Sequence, residues 1–287
     1  MTSGDTGFVT WEAAVRWLRD QPGMLDLVRA AYYDDPLREA SERYRLSEEW
    51  QEIRTWLRGR GGAALDIGAG RGIASYALAT EGFAVTALEP DASDLVGAGA
   101  IRSLARATVL PIEVVQDFSE LLPFADNSFD VVFARAVLHH TTDLSVACKE
   151  FFRVLKPGGL FMAVREHVIS QRGDLTSFLR AHPLHRLYGG ENALLLSEYT
   201  DALRQAGFIL RRVLRPLESP INYSPHTAED LREELIVRLG WVQWSRPVIR
   251  YLLAPKPVFS LVLRLLSLVD SRPGRLYSFV CDKADVD

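Results

Sequence analysis

Cysteine is nearly missing from this chain of 287 residues: there are two, Cys148 and Cys281, each inside an apolar run. Two such residues make no disulfide framework and read as buried, reduced thiols, so a cytoplasmic location is expected. A block of one charge sign is missing as well. The 33 Lys and Arg against 37 Asp and Glu give a formal net charge of -4. No half of the chain is a basic block, so nucleic acid is not expected as a partner. An uninterrupted apolar run of membrane-spanning length is also lacking. The greasiest stretch, Val248 to Val269, is broken by Arg250, Lys256, Arg264, Pro255 and Pro257. A buried cap helix is expected there, with attachment to a membrane surface over residues 246–269 as the weaker alternative. The opening residues MTSGDTGFVTWEAAVRW have neither a basic n-region nor an apolar h-region, so no secretory signal is expected. Repeats and low-complexity segments are absent, which excludes solenoid and disordered architectures.

What is present is a core-forming composition, 48% hydrophobic and 24% charged, enough for one large domain or a domain with a cap. Apolar residues recur at helical spacing from Thr10 to Arg58, as Trp11, Val15 and Leu18 and again as Trp50, Ile53 and Leu57, with Ser47 as a helix start. From Ala63 the rhythm becomes strand, turn, helix. Strands are predicted at Ala63–Ile67, Ala84–Leu88, Ile112–Val115, Phe129–Ala134 and Leu160–Val164. Helices are predicted at Ile73–Ala79, Ser93–Ala107 and Leu144–Leu155. A further helix, Ser197–Ala206, leads to a strand at Phe208–Val213, and a last strand-like run near Leu276–Val280 follows a helical insert. Short apolar strands alternating with helices imply an α/β fold, a mostly parallel doubly wound sheet covered on both faces.

The sharpest feature is the turn Asp66-Ile67-Gly68-Ala69-Gly70-Arg71-Gly72. Glycines at alternate positions between a strand and a helix let backbone N–H groups approach a ligand. Asp66 at the strand end can hold an ammonium group. The dinucleotide fingerprint requires a glycine at its sixth place, where this chain has Ile73, and that argues against a nicotinamide oxidoreductase. Glu89, at the end of the second strand, suits the two hydroxyls of a ribose, since a carboxylate accepts from both.

The stretches ALDIGAGRG, VTALEPD, VVQDFSELLPFADNSFDVVFARAVLHH and FFRVLKPGGLFMAV, in that order, strongly resemble the class I S-adenosylmethionine-dependent methyltransferases. The resemblance runs from about Ala63 to Val164 and more weakly to Val280. It implies a seven-stranded Rossmann-like sheet whose last strand, Arg275 to Val280, runs antiparallel. It implies S-adenosyl-L-methionine as cofactor, with Asp66, Gly68, Ala69 and Gly70 around the methionine part, Glu89 on the ribose and Pro90 near the adenine. Asp117 would accept from the adenine amino group with Phe118 beside the ring, and Ala134 and Arg135 would line the methionine side. Arg135 departs from the small or polar residue usual there. Its charge can grip an anionic substrate or the cofactor carboxylate, or pair with a neighbouring acid.

Transfer of a methyl to oxygen needs a proton removed, which makes the histidines candidates. His140 follows the fourth strand beside His139, and Glu166 and His167 end the fifth, all at the ligand edge of the sheet. His140, His167 and Glu166 are therefore the candidate catalytic residues, Glu166 either polarising the imidazole or holding substrate hydroxyls. Tyr33, Arg135, Tyr188 and Glu191 are the candidate substrate residues, the last two from the glycine-containing loop Tyr188-Gly189-Gly190-Glu191-Asn192. The spacing of His182 and His185 ahead of Glu191 is a weak metal signature, and no metal is expected. Four regions are expected: a helical N-terminal cap at 1–60, the cofactor-binding core at 61–216, a helical insert or lid at 217–272 and a final strand within 273–287. Both helical regions are expected over the ligand edge, with Tyr32, Tyr33, Tyr44 or Tyr223 reaching the pocket and Trp241 and Trp244 in the second cap. The expected activity is methylation of a small-molecule or sugar-like acceptor, with oxygen as the leading nucleophile. A cofactor binder that transfers no methyl is the alternative.

Overall fold

The computed structural model describes residues 10–182, 184–240 and 243–285. Residues 1–9 of the opening segment, Pro183 of the histidine-containing loop and Trp241 of the second cap lie outside the described residues. Strands β1 (Ala63–Ile67), β2 (Ala84–Leu88), β3 (Ile112–Val115), β4 (Phe129–Arg135), β5 (Leu155–Ile169), β6 (Leu194–Leu195), β7 (Ile209–Leu214) and β8 (Arg275–Asp282) form one sheet. Its order is β3-β2-β1-β4-β5-β8-β7, with the two-residue β6 pairing with β5. All neighbours run parallel except β8, which is antiparallel to both β5 and β7. The chain moves outward from β1 through β2 to β3, then returns to lay β4 on the other side of β1. That reversal opens a crevice at the carboxyl ends of β1 and β4, where open α/β sheets place their ligands.

Helices α1 (Trp11–Arg19), α2 (Leu25–Ala30), α3 (Leu37–Leu46) and α4 (Glu48–Leu57) precede β1. Helices α5 (Ile73–Thr80), α6 (Ala98–Thr108), α7 (Leu144–Val154), α8 (Asp174–Ala181), α9 (His185–Tyr188) and α10 (Leu196–Gln205) connect the strands. Helices α11 (Pro220–Tyr223), α12 (Ala228–Leu239), α13 (Arg246–Leu253) and α14 (Lys256–Val269) stand between β7 and β8. β1 is buried along almost its whole length because helices cover both faces, which is why Ala63–Ile67 is apolar at every position but Asp66 rather than alternating. Ser47 caps α4 by accepting from the Trp50 N–H at 3.2 Å. Cys148 and Cys281 are both buried and unpaired.

The structure departs from the sequence expectations in three elements. The second crossover helix starts at Ala98, not Ser93. The Ser93 hydroxyl accepts from the Leu95 and Val96 N–H groups, and the Asp91 carboxylate from the Ser93 N–H, so local side-chain bonds hold these residues in turns. β5 runs on to Ile169, taking in Glu166 and His167, because β8 pairs along it as far as Val168. The insert of α12 to α14 makes a separate core of Leu231, Ile236, Leu253, Phe259 and Leu263. The Val248–Val269 stretch is only half buried: Val248, Leu252, Leu261, Leu265 and Leu268 are exposed on its outer side. No single described helix is long and apolar enough to cross a membrane; α13 and α14 meet at a bend of 99°.

The N-terminal helices are fastened to the ligand edge by arginines. Glu49 on α4 is fully buried, and its carboxylate accepts from Arg135 Nε at 2.6 Å and Nη2 at 3.1 Å. Arg165 Nη1 stands 3.5 Å away on the same carboxylate. Burial alone would raise the Glu49 carboxyl, but the two guanidinium charges outweigh it and hold it below the usual range. Arg71, from the glycine turn, donates to the Tyr32 and Asp34 carbonyls at 2.8 and 2.9 Å and to the Asp35 carboxylate at 2.5 Å. Glu49→Ala strands two buried cations and is expected to cost about 3–5 kcal/mol. Urea unfolding measures this, and a loss below about 1 kcal/mol contradicts the account.

Candidate active site

One cavity of about 520 Å³ lies at the crevice, and residues from the glycine turn, the β2 and β4 ends, the N-terminal helices and the Tyr188 loop line it. At the turn, Gly68, Gly70 and Gly72 take φ values of +58°, +54° and +81°. A Cβ on Gly68 would stand 2.8 Å from Val137 Cγ2, so this glycine also permits close packing of the turn against the β4 exit. Non-glycine residues share the strain: Tyr32, Ala136 and Arg165 have φ of 59°, 57° and 63° beside the crevice.

Two buried carboxyls face this half of the cavity. Asp66 accepts from the Ser75 hydroxyl at 2.5 Å, and burial, with Glu89 adding repulsion, pushes it up to about 7. Glu89 accepts from the Gly70 N–H at 2.6 Å and the Asp91 N–H at 3.0 Å, and burial likewise pushes it up to about 7. Neither carboxyl has an ion pair among the described residues, so each gains from a ligand that brings positive charge or hydroxyl donors. Pro90, Asp117 and the exposed Phe118 continue the wall.

The other half is an imidazole cluster. His139 lies on the short turn after β4 and donates its Nδ1–H to the Glu166 carboxylate at 2.6 Å; against its burial, Glu166 and Glu191 raise this imidazole to about 9, so it is cationic at pH 7. His140 Nδ1 meets the Gly190 carbonyl at 2.9 Å, and His167 Nδ1 meets the Gly274 carbonyl at 2.9 Å. The Glu191 carboxylate stands among them: Tyr188 donates to its Oε1 at 2.5 Å, while His139 Nε2 and His140 Nε2 lie 3.7 and 3.9 Å from its Oε2. Burial would raise Glu191, but the His139 contact and the neighbouring imidazoles outweigh it and hold it well below the usual range. Burial, then the charge of His139, lowers His140 and pushes His167 down to about 4, so both imidazoles are neutral at pH 7. Trp11 packs edge-on against Tyr188 at 4.4 Å and Tyr33 at 5.6 Å, closing this end.

Of the residues singled out in the sequence, Asp66, Gly68, Ala69, Gly70, Glu89, Pro90, Asp117, Phe118, Arg135, Tyr33, Tyr188, Glu191, His140 and His167 line this one cavity. Glu166 does not. It is fully buried behind His139 and accepts from the Val137, Leu138 and His139 N–H groups, so it has no lone pairs to offer a substrate and is corrected to a supporting residue. Ala134 is likewise corrected: it is wholly inside the core and absent from the cavity wall. Arg135 reaches the cavity, but its guanidinium is engaged bidentately by Glu49 and stacked 5.2 Å from the Tyr44 ring, which leaves no free fork for an anionic group. Tyr32 lines the cavity; Tyr44 is buried behind it, and no described residue of the 217–272 insert, Tyr223 and Trp244 included, contributes to the wall. Trp11, Arg71 and His139 were legible only as helix, turn and neighbour, since their partners are remote in the chain.

Comparison with known proteins agrees with this geometry. A methyltransferase domain family matches residues 65–163. The chain is 36% identical over 183 residues to the uncharacterized methyltransferase YcgJ of Bacillus subtilis, covering 61% of this chain and 70% of that protein. It is 30% identical over 166 residues to the ubiquinone/menaquinone biosynthesis C-methyltransferase UbiE of Bradyrhizobium diazoefficiens, a match spanning 51% of this chain and 65% of that relative's length. In fold it is similar to a putative sarcosine dimethylglycine methyltransferase from Galdieria sulphuraria, with a TM-score of 0.59, 20% identity and coverage of 95% and 99% of the two chains. This chain belongs to the class I S-adenosylmethionine-dependent methyltransferases.

Proposed function

We propose that this protein transfers a methyl group from S-adenosylmethionine to an oxygen of a small-molecule acceptor, held between the glycine turn and the imidazole cluster. The observation that carries the reading is that both halves wall a single cavity: a turn with two uncompensated carboxyls at one end, the neutral imidazoles of His140 and His167 and the tyrosines at the other. The residues fit the cofactor. Asp66 suits its ammonium and Glu89 its ribose hydroxyls, while Gly68 and Gly70 give backbone room that a side chain would fill. Asp117 and Phe118 stand where the adenine would end. When bound, the cofactor supplies an electrophilic methyl on a sulfonium sulfur.

The chain's own part is to position, to exclude water and to take a proton. Trp11, Tyr33 and Tyr188 close the acceptor end, which suits a compact molecule or a sugar-like group. His140 is neutral and partly exposed, with Nδ1 on a backbone carbonyl, so its Nε2 is free to receive the acceptor's proton. A carbon acceptor is the second reading, favoured by the 30% identity to a relative named a C-methyltransferase. Supplying methyl-¹³C cofactor with hydroxylated aromatic and sugar acceptors, and reading the product by NMR, separates the two. A methoxy carbon supports oxygen transfer, a C-methyl signal supports the second reading, and cofactor binding with no label transfer sinks both.

Two measurements test the roles. His140→Ala is expected to lower kcat by roughly 10²–10⁴-fold with cofactor affinity unchanged; an unchanged kcat removes His140 as the base. Binding of the demethylated cofactor should depend on pH through Asp66 and Glu89. Both carboxyls are raised to about 7 in the free protein, and the bound ligand favours their ionised forms. Affinity is therefore full above pH 7 and falls as pH drops below it, by up to about tenfold per unit for each carboxyl that must ionise. Calorimetric titration between pH 8 and 5 reads this slope, which Asp66→Asn should flatten. A pH-independent affinity rejects the assignment.

A further inference from the structure

We propose that His139, His167 and Glu191 form a binding site for a divalent transition-metal ion at the acceptor end of the cavity. Their ligating atoms all lie within 4.8 Å of one another, and all three residues line the cavity. They come from three separate elements: the turn after β4, the end of β5 and the loop before β6. The histidine spacing in the sequence argued against a metal at His182, His185 and Glu191. This group shares only Glu191 with that one, and nothing in the linear spacing of residues 139, 167 and 191 announces it.

Three details suit the group to an ion. First, both imidazoles have Nδ1 on an acceptor, Glu166 Oε2 at 2.6 Å for His139 and the Gly274 carbonyl at 2.9 Å for His167. That arrangement keeps a proton on Nδ1 and presents Nε2 to the ion: His167 offers it as a lone pair, while on His139, which Glu166 and Glu191 raise to about 9 despite its burial, an incoming ion displaces the Nε2 proton. Glu166 is itself fixed by three backbone N–H groups, so the His139 ring cannot swing away. Second, Glu191 Oε2 is buried and without a hydrogen-bond partner, while its other oxygen is held by Tyr188. Third, Oε2 lies 3.7 Å from His139 Nε2, too far for a hydrogen bond. It is near the roughly 3–3.5 Å that separates two atoms sharing one ion at about 2.0–2.2 Å. A pair at the 4.8 Å limit needs a contraction of roughly 1.3–1.8 Å to meet that geometry.

Two imidazoles with one carboxylate select an ion of intermediate softness, zinc or ferrous iron in class, over magnesium or calcium. Three protein ligands leave at least one coordination position open, and here it faces the cavity. An acceptor hydroxyl taken there would have its pKa lowered, with His140 beside it to receive the proton.

The site is argued from the cluster alone, so its failure and that of the methyl-transfer reading can be told apart. The full chain, freed of any tag and stripped with chelator, is dialysed against Co²⁺ and separately against Zn²⁺. Bound metal is counted by elemental analysis, the visible Co²⁺ spectrum is recorded, and affinity for the demethylated cofactor is measured on every sample. One equivalent per chain is expected, with a Co²⁺ spectrum that Zn²⁺ abolishes. His167→Ala and Glu191→Gln should each weaken uptake by at least roughly tenfold, and Glu166→Gln, which leaves all three ligands in place, by about 10–100-fold. His226→Ala, on an exposed position outside the cavity, should change nothing. Glu191→Gln stands on a loop and serves if His167→Ala does not fold, retained cofactor affinity marking a folded sample. Cofactor binding without metal uptake, or uptake that survives both ligand variants, overturns the site and leaves a purely ionic imidazole–carboxylate cluster.

Discussion

Glu49 is the charge that holds the N-terminal helices against the ligand edge of the sheet. Arg135 ends β4 and Arg165 lies beside it within β5, so the bare sheet would present two guanidinium groups near the cavity. A sulfonium cofactor is itself cationic, and that edge would repel it. The carboxylate that compensates them comes from α4, 86 residues upstream of Arg135. The N-terminal helices therefore do electrostatic as well as steric work: they close the acceptor end with Trp11 and Tyr33, and they cancel a field the core creates.

The carboxyls buried around the cavity fall into two groups by what faces them. Glu49, Glu166 and Glu191 each have cationic or imidazole partners and are held below the ordinary range. Asp66 and Glu89 have hydroxyl and backbone donors only, and burial raises both. In a folded chain an uncompensated buried carboxyl is costly unless something arrives to compensate it. This difference separates Glu49 and Glu166, which hold the architecture, from Asp66 and Glu89, which wait for a ligand, and it does so without reference to any relative.

Most of the sheet was legible because its strands are short, largely apolar runs set between helices, and Ala63–Ile67, Ala84–Leu88 and Ile112–Val115 match residue for residue. The helix expected from Ser93 starts five residues late because side-chain turns compete there, a preference of Ser and Asp that apolar periodicity does not register. The cofactor half of the cavity was legible for a local reason: a glycine turn and the ends of two strands carry their own spacing. The acceptor half was not. The partner of Arg135 is on another helix, Glu166 turned out to support His139 rather than meet a ligand, and the expected second lid packs on its own core away from the cavity. Each depends on contacts between segments tens of residues apart, which no periodicity records.

Arg71 sits inside the glycine turn yet spends its hydrogen bonds on the Tyr32–Asp35 loop. The turn that meets one ligand and the loop that walls the other are thus a single mechanical unit. Anything that orders that unit on one side lowers the entropic cost of ordering it on the other. A guanidinium placed between two backbone segments therefore ties the wall of one half of the cavity to the wall of the other.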